Sequence, residues 1–532
     1  MAGEWKVVPS FGGGLNFTQH PAFLEDDQWT GCDGWRAVDG VVAETALAYV
    51  QRIAGFWEAT VPATHYFNGL HQDPFTFNGP LLTLSPQGAG GAMRLIRWNG
   101  GAPVEITWDA VGTAPVTHTD DITQIAFCNG FCVITGGTTA PAGNYSLLQW
   151  NGTLGTFSAI NPTNPLRAAM LASYAGRLIV AQTAQTAAGI RTLRWADANS
   201  TTVWDAAISN SADTVVMEDS LSGITGLYPI AGNALMMTTR EATYALSPTG
   251  AIPAFTIQRV SDQGGMDDIY SATNATPRRH SLGCVTPYGA FVRGLDDWYL
   301  NGQSTGRRVW RYIANGDRAS FSLTGMSPVW HARYGAVGIP FRTPTGTNAL
   351  LWFDPRTGTW SAQSLPFAAA RHAVIRDRDA INDGTLEGRH WIMEPTSGQI
   401  YVQDYEGETP QAGGTVDSKD FTVGSPPMTF EVDRIKVDWE TIEFGGSLIV
   451  QALMRPGLKR DETGGSVTGT EGFDITFAGG YVTVGTLTDG DSELSCRLRG
   501  KFLRWRFVQS VNRARIRGFA FRVMPVDDRR RA

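Results

Sequence analysis

Between Leu81 and Gly407 the hydrophobic positions of the chain fall into one recurring phrase: a turn, an apolar alternating run, a gap, then a second apolar run that ends in an aromatic residue and another turn. LLTL with MRLIRWNG (Leu81 to Gly100) opens the series, followed by GFCVITGG with SLLQWNG (Gly130 to Gly152) and GRLIVAQT with IRTLRWADAN (Gly176 to Asn199). GNALMMTTR with EATYALSPTG (Gly232 to Gly250), YGAFVRG with DDWYLNGQ (Tyr288 to Gln303), YGAVGIP with ALLWFDPRTGTW (Tyr334 to Trp360) and EGRHWIME with GQIYVQDYEG (Glu387 to Gly407) complete it. Alternation with a period of two, as in Arg177-Leu-Ile-Val, predicts strands and develops no helical face. About seven copies, spaced by about 45 to 55 residues, match the four-stranded blade of a β-propeller of about six to seven blades. Each phrase is then expected to supply an inner strand that lines the hub and a neighbour whose aromatic residue packs between blades. A series of β-sandwich domains is the alternative, but sandwich strands have no reason to recur at blade length.

The repeat stops near Gly413-Gly414, and strands of a different character follow: TFEVDRIKVDWE, GSLIVQALMRPG, FDITFAGGYVTVG, ELSCRLRGKFLRWRFVQS and ARIRGFAFRVMP. They predict a separate antiparallel, sandwich-like platform of about 120 residues, an ordinary domain size. The expected organisation is an N-terminal arm with strands over 1–75, a propeller over 76–410 and the platform over 411–532. The last strands are basic, with Arg497, Arg499, Lys501, Arg504, Arg506, Arg513, Arg515, Arg517 and Arg522. Alternation sets Arg504 and Arg506 on one face and Leu503, Trp505 and Phe507 on the other. Either this is a solvated strand face, or Arg504, Arg506, Arg513, Arg515 and Arg517 dock an acidic protein surface or make loose contact with nucleic-acid phosphates, roles that both suit arginine, with protein docking favoured by the acidic balance of the chain.

Composition agrees with an all-β chain: 61 glycines, 27 prolines and 17 tryptophans in 532 residues, with only 17% charged. A net charge of −7 provides no basic surface to grip duplex DNA. The N-terminus lacks the charged and apolar regions of a secretory leader, and no run of about 18 apolar residues occurs. Five scattered cysteines imply no disulfide framework. Cys128 and Cys132 flank Asn129-Gly130, a favoured hairpin turn, and read as strand residues beside it rather than metal or redox ligands.

Catalytic, metal and cofactor chemistry find little support. The eight histidines, His20, His65, His71, His118, His280, His331, His372 and His390, are dispersed and form no metal motif. Gly302-Gln-Ser-Thr-Gly306 matches a nucleophile elbow, but it lacks the strand-to-helix setting and reads as a turn. The pairs Asp120-Asp121, Asp267-Asp268 and Asp296-Asp297 could cleave a glycosidic bond only if placed across a cleft, and adjacent residues on a strand point to opposite faces, which argues against their acting together. Gly12 to Gly14 has no following Lys-Ser/Thr and is no phosphate loop.

Four segments in order resemble the tail hub and nozzle proteins of short-tailed bacteriophages, including the packaged-DNA stabilisation proteins. They are FGGGLNFTQHPAFLEDDQWTGCDGWRAVDG (Phe11 to Gly40), RTLRWADANSTTVWD, DSLSGITGLYPIAGNALMMTTREATYALSPTG (Asp219 to Gly250) with the VSDQGG turn and RRHSLGCVTPYGAFVRGLDDWYLNGQ after it, and GKFLRWRFVQS. Cys32-Asp33 departs from the pattern, which has a small residue and an asparagine there. The resemblance implies a non-enzymatic virion protein, made in the host bacterial cytoplasm. It would form a self-assembled ring of six copies below the portal and head-tail adaptor, beside tail fibre, spike or needle proteins, and would line the exit channel and retain packaged DNA without a membrane anchor. It also implies that the N-terminal segment packs with the C-terminal platform. A mildly acidic wall would let double-stranded DNA slide past without holding it.

The competing function is a glycan-binding or glycan-hydrolysing propeller, with Trp98, Trp150, Trp195, Trp298 and Trp352 as candidate sugar platforms. Each stands at a similar place in its repeat, as an interblade packing residue should. Buried tryptophans between blades would favour architecture; exposed aromatics around the hub mouth would favour sugar binding.

Overall fold

Each phrase folds as the two middle strands of a four-stranded antiparallel sheet in this computed structural model. The structure describes residues 3–16, 24–47, 49–51, 65–76, 79–86, 94–98, 103–107, 124–135, 147–160, 166, 168, 170–183, 189–204, 212–220, 223–230, 234–239, 241–262, 283–293, 297–305, 328–342, 348–367, 371–376, 388–394, 399–403, 411, 413–423, 428–442, 445–455 and 481–526. Among these, seven such sheets follow one another along the chain. Blade 1 is His65–Gln72, Pro80–Pro86, Arg94–Arg97 and Val104–Ile106; blade 2 is Ile125–Cys128, Phe131–Thr135, Leu147–Trp150 and Ser158–Ala159. Blade 3 is Met170–Tyr174, Arg177–Ala181, Thr192–Trp195 and Asp213–Val216; blade 4 is Ile224–Ile230, Ala234–Thr239, Thr243–Pro248 and Phe255–Ser261. Blade 5 is Gly283–Thr286, Gly289–Arg293, Trp298–Leu300 and Gln303–Ser304; blade 6 is Val329–His331, Ala336–Arg342, Asn348–Asp354 and Thr359–Leu365. Blade 7 takes three strands from Arg371–Ile375, Arg389–Met393 and Ile400–Gln403, and its outermost strand is Tyr49–Gln51. First strands meet their neighbours from blade 2 through blade 7, and that of blade 7 meets that of blade 1, which closes the ring.

The repeat phrase thus marks the second and third strands, not the inner one. Middle strands are covered on both faces by neighbouring blades, so their apolar runs are nearly continuous, as in Leu178, Ile179, Val180 and Ala181, all fully buried. The inner strands, such as Ile125–Cys128 with its partly exposed residues, carry a weaker signal. The tryptophans behave as packing residues. Trp150, Trp195, Trp298 and Trp352 lie on third strands and Trp98 just after one, all at 6% exposure or less. Trp98 meets Trp391 of blade 7 with ring centroids 5.3 Å apart, and Trp195 meets Phe255 of blade 4 at 5.3 Å. The Asn129-Gly130 turn has both residues at positive φ, 52° and 80°, which is the turn that matches strand twist in a two-residue hairpin.

Two six-stranded sheets make the platform, and both combine the two ends of the chain. In the first, Ala514–Pro525 lies between Phe430–Thr441 on one side and Glu4–Val8 with Val42–Thr45 on the other. In the second, Gln28–Asp33 pairs with Thr415–Ser418, which pairs with Phe502–Val511. The expected packing of the N-terminal segment on the C-terminal strands therefore takes the form of strand pairing. His65–Gln72, expected in the N-terminal arm, is instead the inner strand of blade 1, and Tyr49–Gln51 belongs to blade 7. The platform grips blade 6: Gly34 N–H donates to Ala362 O at 3.0 Å, and Asp33 accepts from the Ser364 N–H at 2.7 Å and from the Ser364 hydroxyl at 2.9 Å. One apolar cluster runs from Phe11, Trp29, Trp505 and Phe519 in the platform into Phe291, Phe353 and Trp360 of blades 5 and 6. No described helix is long and apolar enough to cross a membrane.

Candidate functional site

The arginines expected to dock a partner are mostly consumed inside the platform. Arg504 and Arg506 do point away from Leu503, Trp505 and Phe507, as alternation requires, but their face is covered and they are 4% and 7% exposed. Arg504 Nε donates to Asp420 Oδ1 at 2.7 Å, while Arg506 grips Asp417 with two bonds of 2.7 and 2.8 Å and lies 3.9 Å over the Tyr481 ring. Arg513 and Arg515 both donate to Glu44 at 2.7 Å. Burial alone would raise the Glu44 carboxyl, and Arg36, Arg515 and Arg513 outweigh it and hold it below the usual range. Glu44 sits on Val42–Thr45, so this cluster staples the N-terminal strands to the C-terminal one. Arg504 and Arg506 cannot dock anything, and Arg513 is largely buried; Arg515 and Arg517 keep exposed area while pairing with Glu440. The acids lie 84 to 89 residues before Arg504 and Arg506, beyond any local spacing rule.

Other sequence candidates are absorbed by the fold. Ser304 of the Gly-x-Ser-x-Gly match lies on the outermost strand of blade 5 and donates to buried Asp297, which also accepts from Thr305. Asp120-Asp121 and Asp267-Asp268 lie outside the described residues, as do Asp296, His20, His118 and His280. Cys128 and Cys132 belong to different apolar clusters on opposite sides of blade 2, and burial pushes both thiols up, that of Cys132 to about 12. Gly12 packs where an added Cβ would come within 2.3 Å of Val42 N, so this glycine serves close backbone approach. No group of three His, Cys, Asp or Glu among the described residues is arranged to hold a metal ion.

Three histidines that sequence reasoning left dispersed are brought together at the seam between blades 6 and 7. Tyr49 of the closing strand places its Oη 2.7 Å from His390 Nδ1, and His390 Nε2 is 2.8 Å from His372 Nδ1. This row crosses blade 7 from its outermost strand to its innermost. Facing it from blade 6 stands His331, with its ring centroid 5.9 Å from that of His390, and Trp352, at 5.6 Å. The Tyr334 N–H donates to His331 Nδ1 at 3.1 Å, and Gln403 donates to Tyr334 Oη at 2.7 Å. Gln363 donates to the Leu47 carbonyl at 2.7 Å, just before the closing strand, and accepts from Trp352 Nε1 at 3.3 Å. The Arg36 guanidinium lies 3.6 Å over the Tyr334 ring.

Burial, then the Arg36 charge, brings His331 down to about 3; burial, then His372 and His331, holds His390 well below the ordinary histidine range. Both rings are therefore neutral near pH 7. These side chains form a hydrogen-bonded fastening between the closing strand and the two blades. The signal that could have found it is positional: His331, His372 and His390 occupy the first or second strands of consecutive repeats.

No family model and no curated protein matches the chain. Among solved structures, the extracellular domain of a hybrid two-component system from B. thetaiotaomicron aligns at 9% identity with a TM-score of 0.37, over 85% of this chain and 53% of its own length. The Aleuria aurantia lectin, solved with α-methyl-L-fucoside, aligns at 10% identity and TM-score 0.25, over 56% of this chain and 77% of the lectin. A glycoside hydrolase family 43 arabinoxylan arabinofuranohydrolase from Bacillus subtilis aligns at 10% identity and TM-score 0.22, over 95% of this chain and 98% of the enzyme. The chain thus spans about half the length of the two-component domain.

Proposed function

We propose that the chain is an architectural protein, the hub or nozzle ring of a bacteriophage tail, in which six copies below the portal and adaptor surround the DNA exit channel. The observation that carries an architectural role is the double lock on the propeller. Its last blade is closed by Tyr49–Gln51, and the residues on either side of the propeller join in both platform sheets, which share a core with blades 5 and 6. Such a body resists local opening, as a wall under pressure must, because closure leaves few free sheet edges. The five repeat tryptophans are buried packing residues, which supports the same role. The phage assignment rests on the resemblance of the four sequence segments.

Negative-stain electron microscopy of the concentrated protein, alone and with DNA-filled, tail-less heads of the source phage, tests the proposal. Rings or head-bound stubs with an axial channel of about 20 Å or more, wide enough for duplex DNA, are expected. Compact monomers that ignore heads would remove it.

A glycan-binding propeller is a second reading, favoured by a different observation. Phe127, 47% exposed, packs on Phe75 with centroids 5.4 Å apart, and Tyr288, 45% exposed, packs near Trp330 at 6.1 Å. Both pairs sit beside turns between first and second strands, and so on one end of the propeller. An aromatic face backed by a second ring suits a neutral sugar ring. Titration with neutral oligosaccharides, read by tyrosine and tryptophan fluorescence, would favour this reading only if binding is lost in Phe127→Ala or Tyr288→Ala.

A further inference from the structure

We propose that the histidine row across the seam of blades 6 and 7 is an acid-operated release for the strand that closes the propeller. The closing strand is three residues long, in register Tyr49 with Gln403, Val50 with Val402 and Gln51 with Tyr401. So short a ladder depends on side chains, and Tyr49 supplies the link through His390 to His372.

Neutral rings satisfy that chain with one donor and one acceptor at each contact. If the Tyr49 hydroxyl donates to His390 Nδ1, then His390 Nε2–H donates to His372 Nδ1. Adding a proton to His390 turns its Nδ1 into a donor and forces the Tyr49 hydroxyl to reverse. Protonating both rings leaves two N–H groups facing each other across 2.8 Å.

Among the described residues, the charged groups around the row are mostly cations. Blade 6 presents His331, Tyr334, Trp352 and Gln363, and the turn beside them carries Arg333, whose charge acts on His331. Blade 7 adds His372 and Gln403, with Arg389 next in chain to His390 and, by strand alternation, on the reverse face. From the platform come Arg36 and Arg513, and Glu44 is already shared among Arg36, Arg513 and Arg515.

The direction of the pH effect follows from linkage. His331 and His390 are depressed in the closed seam, whereas an exposed histidine titrates at about 6.5. The closed state is fully favoured above that pH and loses stability as the pH falls, because the open state binds more protons. Each such histidine raises the opening constant by up to about tenfold per pH unit, and two together by up to about a hundredfold.

Hydrogen exchange of the full chain, read by mass spectrometry on peptides covering 45–55, 395–405 and 170–181 and corrected for the intrinsic pH dependence of exchange, tests this. Between pH 6.5 and about 5, the opening constant of the first two peptides is expected to rise by on the order of a hundredfold or more, with blade 3 unchanged. His390→Gln, which keeps a donor and an acceptor but cannot titrate, should reduce the slope by about tenfold per unit. Tyr49→Phe should raise opening at every pH with the slope retained, and it serves as the second variant if His390→Gln does not fold. Closing-strand protection that is independent of pH, or lost in step with blade 3, overturns the proposal.

Discussion

Arg504 and Arg517 stand on basic strands that follow one another in the chain and look alike in sequence, yet their removal should have very different costs. Arg504 is 4% exposed and bound to Asp420, so Arg504→Ala leaves a carboxylate buried without its cation. We expect a loss of about 3–5 kcal/mol in urea denaturation. Arg517, with its side chain 47% exposed, pairs with Asp438 and Glu440 at the surface, and Arg517→Ala should stay within about 0.5 kcal/mol. If Arg504→Ala is equally mild, the covered face has been misassigned. Replacing both partners, Arg504→Met with Asp420→Leu, should be close to neutral, since apolar packing then takes the place of a desolvated pair. Alternation correctly placed Arg504 and Arg506 opposite Trp505. What covers them was not legible, because their acids come from a strand and loop that local periodicity does not connect to them. The same limit hid the seam: His372 and His390 meet through strand pairing within blade 7, and His331 joins them only because consecutive blades lie face to face.

At the scale of strands and turns, what was legible was whatever burial on both faces writes into a run of residues. The middle strands carry that signature; inner strands with residues partly open, such as Ile125–Cys128, do not. The closing strand was hidden for another reason, since Tyr49–Gln51 completes a sheet whose other members begin at Arg371. Glycines divide in a similar way. Gly130 has φ of 80° with open space around it, so Gly130→Ala should cost only the backbone strain, about 1–2 kcal/mol. Gly152 has φ of 88° and an added Cβ would lie 2.8 Å from Phe75, so Gly152→Ala should cost more than Gly130→Ala and disturb the blade 1–blade 2 seam. Thermal denaturation of the two variants distinguishes a turn that needs only its conformation from one that also needs the space. Equal shifts in melting temperature would mean that Phe75 yields freely.

For the whole molecule, the boundary expected near residue 410 separates the blade repeat from the platform strands but does not divide the core they share. Trp29 and Phe11 of the N-terminal strands, Trp505 and Phe519 of the C-terminal ones and Trp360 of blade 6 belong to one buried cluster. Asp33 reinforces the join: its carboxyl is raised by burial and held by hydrogen bonds from Ser364 and Gln411. Neither sheet of the platform is complete without residues 4–45, and blade 7 is incomplete without residues 49–51. Propeller and platform should therefore unfold together, although the chain is long enough for several independent domains. Calorimetry of the full chain near pH 7.5 is expected to show one transition whose calorimetric and van't Hoff enthalpies agree. Removing residues 1–47 while keeping the closing strand should lower the melting temperature of blade 6 along with that of the platform, because the contacts at Ala362 and Ser364 go with them. Two well-separated transitions in the intact chain, or a propeller indifferent to the truncation, would mean that the shared cluster does not couple them. A single transition at pH 7.5 that splits as the pH falls below about 6.5 would add that the seam of blades 6 and 7 is where this cooperative body first comes apart.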